Sequence, residues 1–216
     1  MGAISKLLDQ CRKPTGWFGR VLLRDFNRHH SKVTDWGLQH LAIQKHHTIL
    51  DVGCGGGRTV HKLAAIAMDG KVYGIDFSEE SVSVSRRTNK QWMAMGRVAI
   101  FQGSVSRLPF SDHVFDLVTA VETHFFWPDL VADMHEVLRV LKPGGKLIII
   151  AEGYKGGKYD KRLQKLEGLM PIALLSVNEH TERFTASGYS GVQIFEEYNK
   201  GWLCGVGTKP AALSEG

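Results

Sequence analysis

The stretch ILDVGCGGGRT, residues 49–59, carries the most specific chemistry of the chain. Gly53, Gly55, Gly56 and Gly57 follow an apolar run and lead at once into a helical pattern. Glycine lets a backbone turn sharply and approach a ligand closely, and a helix N-terminus offers N–H groups without intrahelical partners. Asp76 closes the next apolar run, nineteen positions after Gly57, where a carboxylate can accept hydrogen bonds from ribose hydroxyls. Dinucleotide dehydrogenases share a glycine-rich strand–helix turn, so a nicotinamide enzyme stays open on this feature alone.

A second reactive stretch is VETHFFWP, residues 121–128. His124 is its candidate general base, because an unperturbed imidazole titrates at about 6.5. Phe125, Phe126 and Trp127 are candidates for an apolar acceptor pocket. The alternative stays open that His124 is a surface loop residue and the aromatics anchor the next helix. Neither a disulfide framework nor a metal site is expected. Cys11, Cys54 and Cys204 are far apart in sequence, and the pairs His29-His30 and His46-His47 are adjacent residues whose side chains diverge. The odd cysteine number suits a reducing compartment, and the opening MGAISK lacks a secretory pattern, so a cytoplasmic protein is expected.

These groups need elements to position them. Thr48–Val52, Lys71–Ile75, Val98–Gln102, Phe115–Val121 and Lys146–Ala151 read as strands, separated by helical spacing at Arg58–Ala67 and Asp129–Leu141. Ser78 reads as a helix N-cap, with Glu79 and Glu80 in the first turn. Pro143-Gly144-Gly145 reads as the stop of the later helix. Short apolar strands alternating with longer helices make βαβ units and a parallel sheet. Val192–Tyr198 and Trp202–Gly207, joined at Asn199-Lys200-Gly201, read instead as a hairpin.

Charge divides the chain. The 216 residues carry a net +5, and residues 1–48, with eight basic and three acidic side chains, account for all of it. A neutral body argues against a nucleic-acid-binding surface. Trp17, Phe18, Val21, Leu22 and Phe26, interleaved with Arg20, Arg24 and Arg28, describe a basic amphipathic helix. It could be a substrate lid, a funnel for an anionic substrate, a peripheral membrane face, or a helix packed on the sheet with its arginines in water. Residues 1–47 are therefore set apart from a domain at 48–210. The basic cluster Lys155–Lys165 reads as a mobile loop near the same mouth.

The ordered series ILDVGCGGG, Asp76, Gly103-Ser104-Val105, Leu108-Pro109-Phe110, Phe115-Asp116 and Leu138-Arg139-Val140-Leu141-Lys142-Pro143-Gly144-Gly145 resembles the class I S-adenosylmethionine-dependent methyltransferases. Over about residues 45–152 it is most similar to the small "methyltransferase domain 11" type, and within it to ubiquinone/menaquinone-biosynthesis methyltransferases. The resemblance implies a Rossmann-like seven-stranded α/β sheet of order 3-2-1-4-5-7-6, strand 7 antiparallel, with helices on both faces. It also implies S-adenosylmethionine as cofactor and S-adenosylhomocysteine as product. Carried over by motif position, Asp51 and the Gly53–Gly57 backbone hold the methionine moiety, Asp76 binds both ribose hydroxyls, and Phe77 packs on adenine. Ser104 stands where the family usually has an Asp that accepts from the adenine amino group, the Val105 amide meets the adenine ring, and Glu122 sits at the methionine end.

The expected reaction is methyl transfer to a small-molecule acceptor, apolar or anionic, by in-line displacement. Residues 122–125, Glu-Thr-His-Phe, are not the Asn/Asp-Pro-Pro-Tyr/Phe motif of nucleic-acid amino-methylating enzymes of this fold. The competing readings are an RNA or protein acceptor engaged by the basic N-terminal face, and a methyltransferase-like fold that binds without turnover.

Overall fold

Apolar runs of five to seven residues punctuated by polar ones become the strands of one sheet. A computed structural model describes residues 30–167 and 174–211. Helix α1 is Ser31–Leu38, followed by β1 (Thr48–Val52), α2 (Arg58–Ile66), β2 (Lys71–Asp76), α3 (Glu79–Thr88), α4 (Lys90–Ala94), β3 (Val98–Gln102) and β4 (Phe115–Val121). A 3-10 turn at His124–Phe126 leads to α5 (Leu130–Val140), β5 (Leu141–Glu152), α6 (Asp160–Glu167), α7 (Val177–Ala186), β6 (Ser190–Glu197) and β7 (Trp202–Thr208). The strands form a seven-stranded sheet of order β3-β2-β1-β4-β5-β7-β6. β1 to β5 pair in parallel, while β7 runs antiparallel to both β5 and β6. The implied topology is the observed one.

Alternation along the strands feeds two cores, one per face. Ile49, Ile148 and Ile150 point to the face covered by Val33 and Leu38 of α1, Val60 and Leu63 of α2, and Val82 of α3. Leu50, Leu147 and Ile149 point to the other, under Met134 and Val137 of α5 and Phe184 of α7. Each such side chain, fully buried, contributes about 1.5–3 kcal/mol of transfer free energy. The α3 start is the expected one, the Ser78 hydroxyl accepting the Ser81 amide at 3.3 Å.

Three boundaries differ from the sequence expectations. Helix α5 ends at Val140, and Leu141 is already extended and paired with Phe115. Pro143-Gly144-Gly145 is therefore not the helix stop but an irregularity inside β5, with Gly144 at φ +77°. The helix is closed instead by the Lys209 ammonium, which donates to the carbonyls of Leu138 at 2.7 Å and Leu141 at 2.8 Å. The Lys155–Lys165 cluster is not all loop, since α6 begins at Asp160. Helix α7 went unread although Ser176 and Glu179 form a reciprocal capping box ahead of it. The amphipathic stretch Trp17–Arg28 lies outside the described residues. Among the described residues, no helix is long and apolar enough to cross a membrane.

Candidate active site

In a parallel sheet the ligand crevice lies at the carboxyl ends of the strands, on either side of the point where the strand order reverses. Here that point is β1 and β4, and the glycine loop, Asp76, Ser104-Val105 and the segment after β4 come to this edge, while Phe115-Asp116 and Pro143-Gly144-Gly145 lie at the opposite one.

The glycine loop leaves β1 with Gly53, Gly55 and Gly57 at φ +70°, +49° and +79°, a region that side chains rarely adopt. Space forbids them as well. A Cβ on Gly53 would lie 2.2 Å from the Thr123 Oγ1, and one on Gly57 would lie 2.4 Å from the Ser85 Oγ. The loop is held from behind by Asn89, whose Nδ2 donates to the Gly57 carbonyl at 2.9 Å. The Gly53 and Cys54 amides both donate to the Ile75 carbonyl, at 2.8 and 3.0 Å, fastening loop to β2. Cys54 is buried, and burial pushes its thiol well up, so it is an inert packing residue.

Asp76, the last residue of β2, accepts the Gly55 amide on Oδ2 and the Ser78 amide on Oδ1, both at 2.9 Å. Burial pushes its pKa up, against the Ser78 and Gly55 amides and the Ser81 hydroxyl that hold it down. Beside it lies a cavity of about 220 Å³ lined by Gly53, Asp76, Phe77, Ser104, Val105 and Thr123, and also by Phe126, Trp127 and Pro128 of the segment after β4. Phe77 is 42% exposed, an aromatic face turned out at the rim rather than into the core. An acceptor carboxylate, an exposed aromatic side chain and the Ser104-Val105 segment along the same cavity fit a nucleoside.

The remaining expected residues lie behind or beside this wall. Asp51 is buried in β1, its Oδ1 accepting the Thr119 hydroxyl at 2.6 Å. Burial, with the neighbouring Asp76 adding to it, raises Asp51 to about 7, the Thr119 bond opposing. Glu122, at φ +56°, accepts the Glu152 amide on Oε1 and is likewise raised by burial to about 7. His124 is only 3% exposed, with its Nε2 3.2 Å from the Nε2 of His180. The His180 Nδ1 faces the Ser176 carbonyl at 2.8 Å and so carries a hydrogen, which makes His180 Nε2 the acceptor of the His124 N–H. Burial depresses both imidazoles, His124 strongly. This gives His124 a structural partner in α7 and places it outside the cavity lining.

Residues to which the sequence assigned no individual role do much of the positioning. Arg139 donates to the carbonyls of Leu108 at 3.2 Å and Phe110 at 2.8 Å, fixing the loop that starts at Ser104. Glu136 accepts from Arg139 and from the Leu108 amide, each at 2.8 Å. Asp116 joins the start of β1 to β5 by accepting the Thr48 amide and the Lys142 ammonium, both at 2.8 Å. Asn89, Thr119, Thr123 and His180 carried no sequence signal, because their partners are set by strand register and helix packing.

Residues 50–149 match a methyltransferase domain family, Methyltransf_11. The demethylmenaquinone methyltransferase of Oceanobacillus iheyensis is 34% identical over 126 residues, 58% of this chain and 52% of that protein. The chain spans about half the length of the curated relatives it matches. Among solved structures, a Haloferax volcanii methyltransferase in complex with the Trm112 methyltransferase activator has a TM-score of 0.75 at 18% identity, over 97% of this chain and 99% of that one. A Haemonchus contortus phospholethanolamine N-methyltransferase 2, bound to phosphomonomethylethanolamine and S-adenosylhomocysteine, reaches 0.77 at 14% identity, over 97% of this chain and 61% of that one. Those identities speak for the fold alone. Residues 50–149 are therefore a methyltransferase domain of the Methyltransf_11 type, similar in sequence to the demethylmenaquinone methyltransferases.

Proposed function

We propose that this chain transfers a methyl group from S-adenosylmethionine to a small, partly apolar molecule. The observation that carries the reading is the cavity at the carboxyl edge. It joins the Asp76 carboxylate and the Ser104-Val105 wall to an aromatic wall, Phe126 and Trp127, next to the glycine loop. The similarity to demethylmenaquinone methyltransferases supports a small-molecule acceptor.

S-adenosylmethionine supplies a methyl bonded to a positively charged sulfonium. The chain's own residues hold the geometry. Asp76 accepts both ribose hydroxyls, Phe77 packs on the adenine face, and Ser104 and the Val105 amide meet the adenine edge. Asp51 and the Gly53, Gly55 and Gly57 backbone hold the methionine end, with Glu122 beside it. Phe126, Trp127 and Pro128 exclude water and seat the acceptor. Most of the acceleration then comes from holding nucleophile, methyl carbon and sulfur in line. The site works in the cytosol on this reading, and the basic N-terminal segment bears on what approaches the mouth.

Titration calorimetry with S-adenosylmethionine, S-adenosylhomocysteine and NADH decides the cofactor. Micromolar binding of the first two and none of NADH is expected; the reverse pattern would make the glycine loop a dinucleotide site. Formation of S-adenosylhomocysteine with a panel of phenols, hydroquinones and amines, against none with RNA, tests the acceptor class.

A further inference from the structure

The sheet order fixes a direction along the carboxyl edge. Ser104 and Val105 follow β3, Asp76 ends β2, the glycine loop leaves β1, and Glu122 follows β4. With a nucleoside on the β3–β2 side, the reacting end of the cofactor faces β4. There Thr123 sits against Gly53, and Glu122 is its chain neighbour. Glu122 is half-buried where His124 is closed off; neither lines the cavity beside Asp76, but Thr123, the residue after Glu122, does. Its amide donates to the Ile150 carbonyl at 2.9 Å, and its Oε1 accepts the amide of Glu152, the last residue of β5. Among the described residues no hydrogen bond engages Oε2.

Glu152 is itself held on two sides. The Trp202 indole N–H donates to its Oε1 at 3.1 Å, and the His30 Nδ1 lies 3.4 Å from its Oε2. His30 arrives from in front of α1, so the carboxyl ends of β4 and β5, the start of β7 and the start of α1 converge on one pair of carboxylates. The charged groups that act on Glu122 are His30, which favours its ionised form, and Glu152, which opposes it. Burial outweighs both and leaves the carboxyl at about 7, where a group can accept a proton and return it.

We propose that Glu122 is the general base of the transfer, that Glu152 and His30 are its positioning residues, and that the acceptor is a neutral molecule reacting through an O–H or N–H group. The inference rests on the methyl-transfer reading above. As the acceptor's lone pair forms its bond to the methyl carbon, the carbon–sulfur bond breaks and its electron pair stays on sulfur. The acceptor proton passes to Glu122 Oε2 and from there to solvent. The donor loses its positive charge, the acceptor stays neutral, and one proton is released per turnover.

The test compares the full chain with its Glu122→Gln and Glu152→Gln variants. Infrared difference spectra read the carboxyl directly, calorimetry with S-adenosylhomocysteine reads the cofactor site, and turnover uses catechol, 1,4-dihydroxynaphthalene and phenethylamine. The wild type should show a carboxyl band titrating near pH 7 that Glu122→Gln lacks, and Glu152→Gln should move that band and the acid limb of the rate profile together. Glu122→Gln, which keeps the size and hydrogen-bonding reach of the side chain, should turn over about 100-fold or more slower at saturating S-adenosylmethionine, with the acid limb gone. The proposal is overturned if Glu122→Gln keeps the rate at saturating S-adenosylmethionine or keeps the limb, or if the band titrates below pH 5. It is equally overturned if a wild type that binds S-adenosylhomocysteine methylates none of the three probes. Failure of the wild type to bind S-adenosylhomocysteine would instead overturn the methyl-transfer reading itself.

Discussion

The Gly55 amide donates to Asp76 Oδ2 at 2.9 Å, so the carboxylate proposed to bind ribose also shapes the loop proposed to bind methionine. Removing it should damage both ends of the cofactor site. Asp76→Ala is expected to weaken S-adenosylhomocysteine binding by about 100-fold, close to 2.7 kcal/mol, the loss of charge-assisted hydrogen bonds to one carboxylate. Calorimetry checks this, and wild-type affinity in the variant would refute the ribose assignment.

Gly53 makes a sharper case, because conformation and space act together. Gly53→Ala must hold φ near +70° and bring a methyl against Thr123 Oγ1. The expected loss is about 1–3 kcal/mol in urea unfolding, with weaker cofactor binding. Thr123→Ala removes the clash but not the strain. The double variant should therefore recover part of the loss, with a coupling of about 0.5 kcal/mol or more. Strict additivity would mean that the two residues do not meet.

The sequence made legible what depends on neighbouring residues. The bounds of β1, β3 and β4 follow directly from apolar runs flanked by polar or glycine residues, and the glycine loop announced itself by composition. What escaped depends on contacts between distant segments. The α5 stop looked like Pro143-Gly144-Gly145, but Lys209, which caps the carbonyls, comes from beyond β7. Helix α7 buries only His180 and Phe184, too thin a stripe to reveal itself by periodicity, although its capping box was readable. At the site, the motif positions were legible and their supports were not. Thr119 reaches Asp51 only because β1 and β4 pair in that register.

Asp51 gives a pH prediction. Its folded pKa, raised by burial to about 7, exceeds the ordinary 3.8. Between those values the folded state binds more protons than the unfolded state, so stability falls as pH rises from about 4 to 7 and levels off above. At 1.36 kcal/mol per unit, the loss approaches about 4 kcal/mol. Asp51→Asn keeps an oxygen for the Thr119 hydroxyl and removes the titration. Urea midpoints measured from pH 4.5 to 8 should fall less steeply in the variant. An unchanged slope would show that Asp51 ionises at its ordinary pH in the fold.

His124 and His180 run the opposite way. Their Nε2 atoms are 3.2 Å apart and both rings are buried, so both pKa values lie below the ordinary 6.5. The unfolded chain then binds more protons as pH falls through 6.5, and the pair loses stability on that acid side while leaving it intact above. His124→Ala leaves the His180 acceptor unpaired and a void beside Phe125, and should cost about 2–4 kcal/mol at pH 8. His124→Gln can still donate to His180 and should restore part of that stability while flattening the acid-side loss. Because neither ring lines the cavity, S-adenosylhomocysteine affinity at pH 8 should stay within about threefold of wild type in His124→Gln. A His124→Gln variant that folds stably but loses cofactor affinity would return His124 to the site from which its burial separates it.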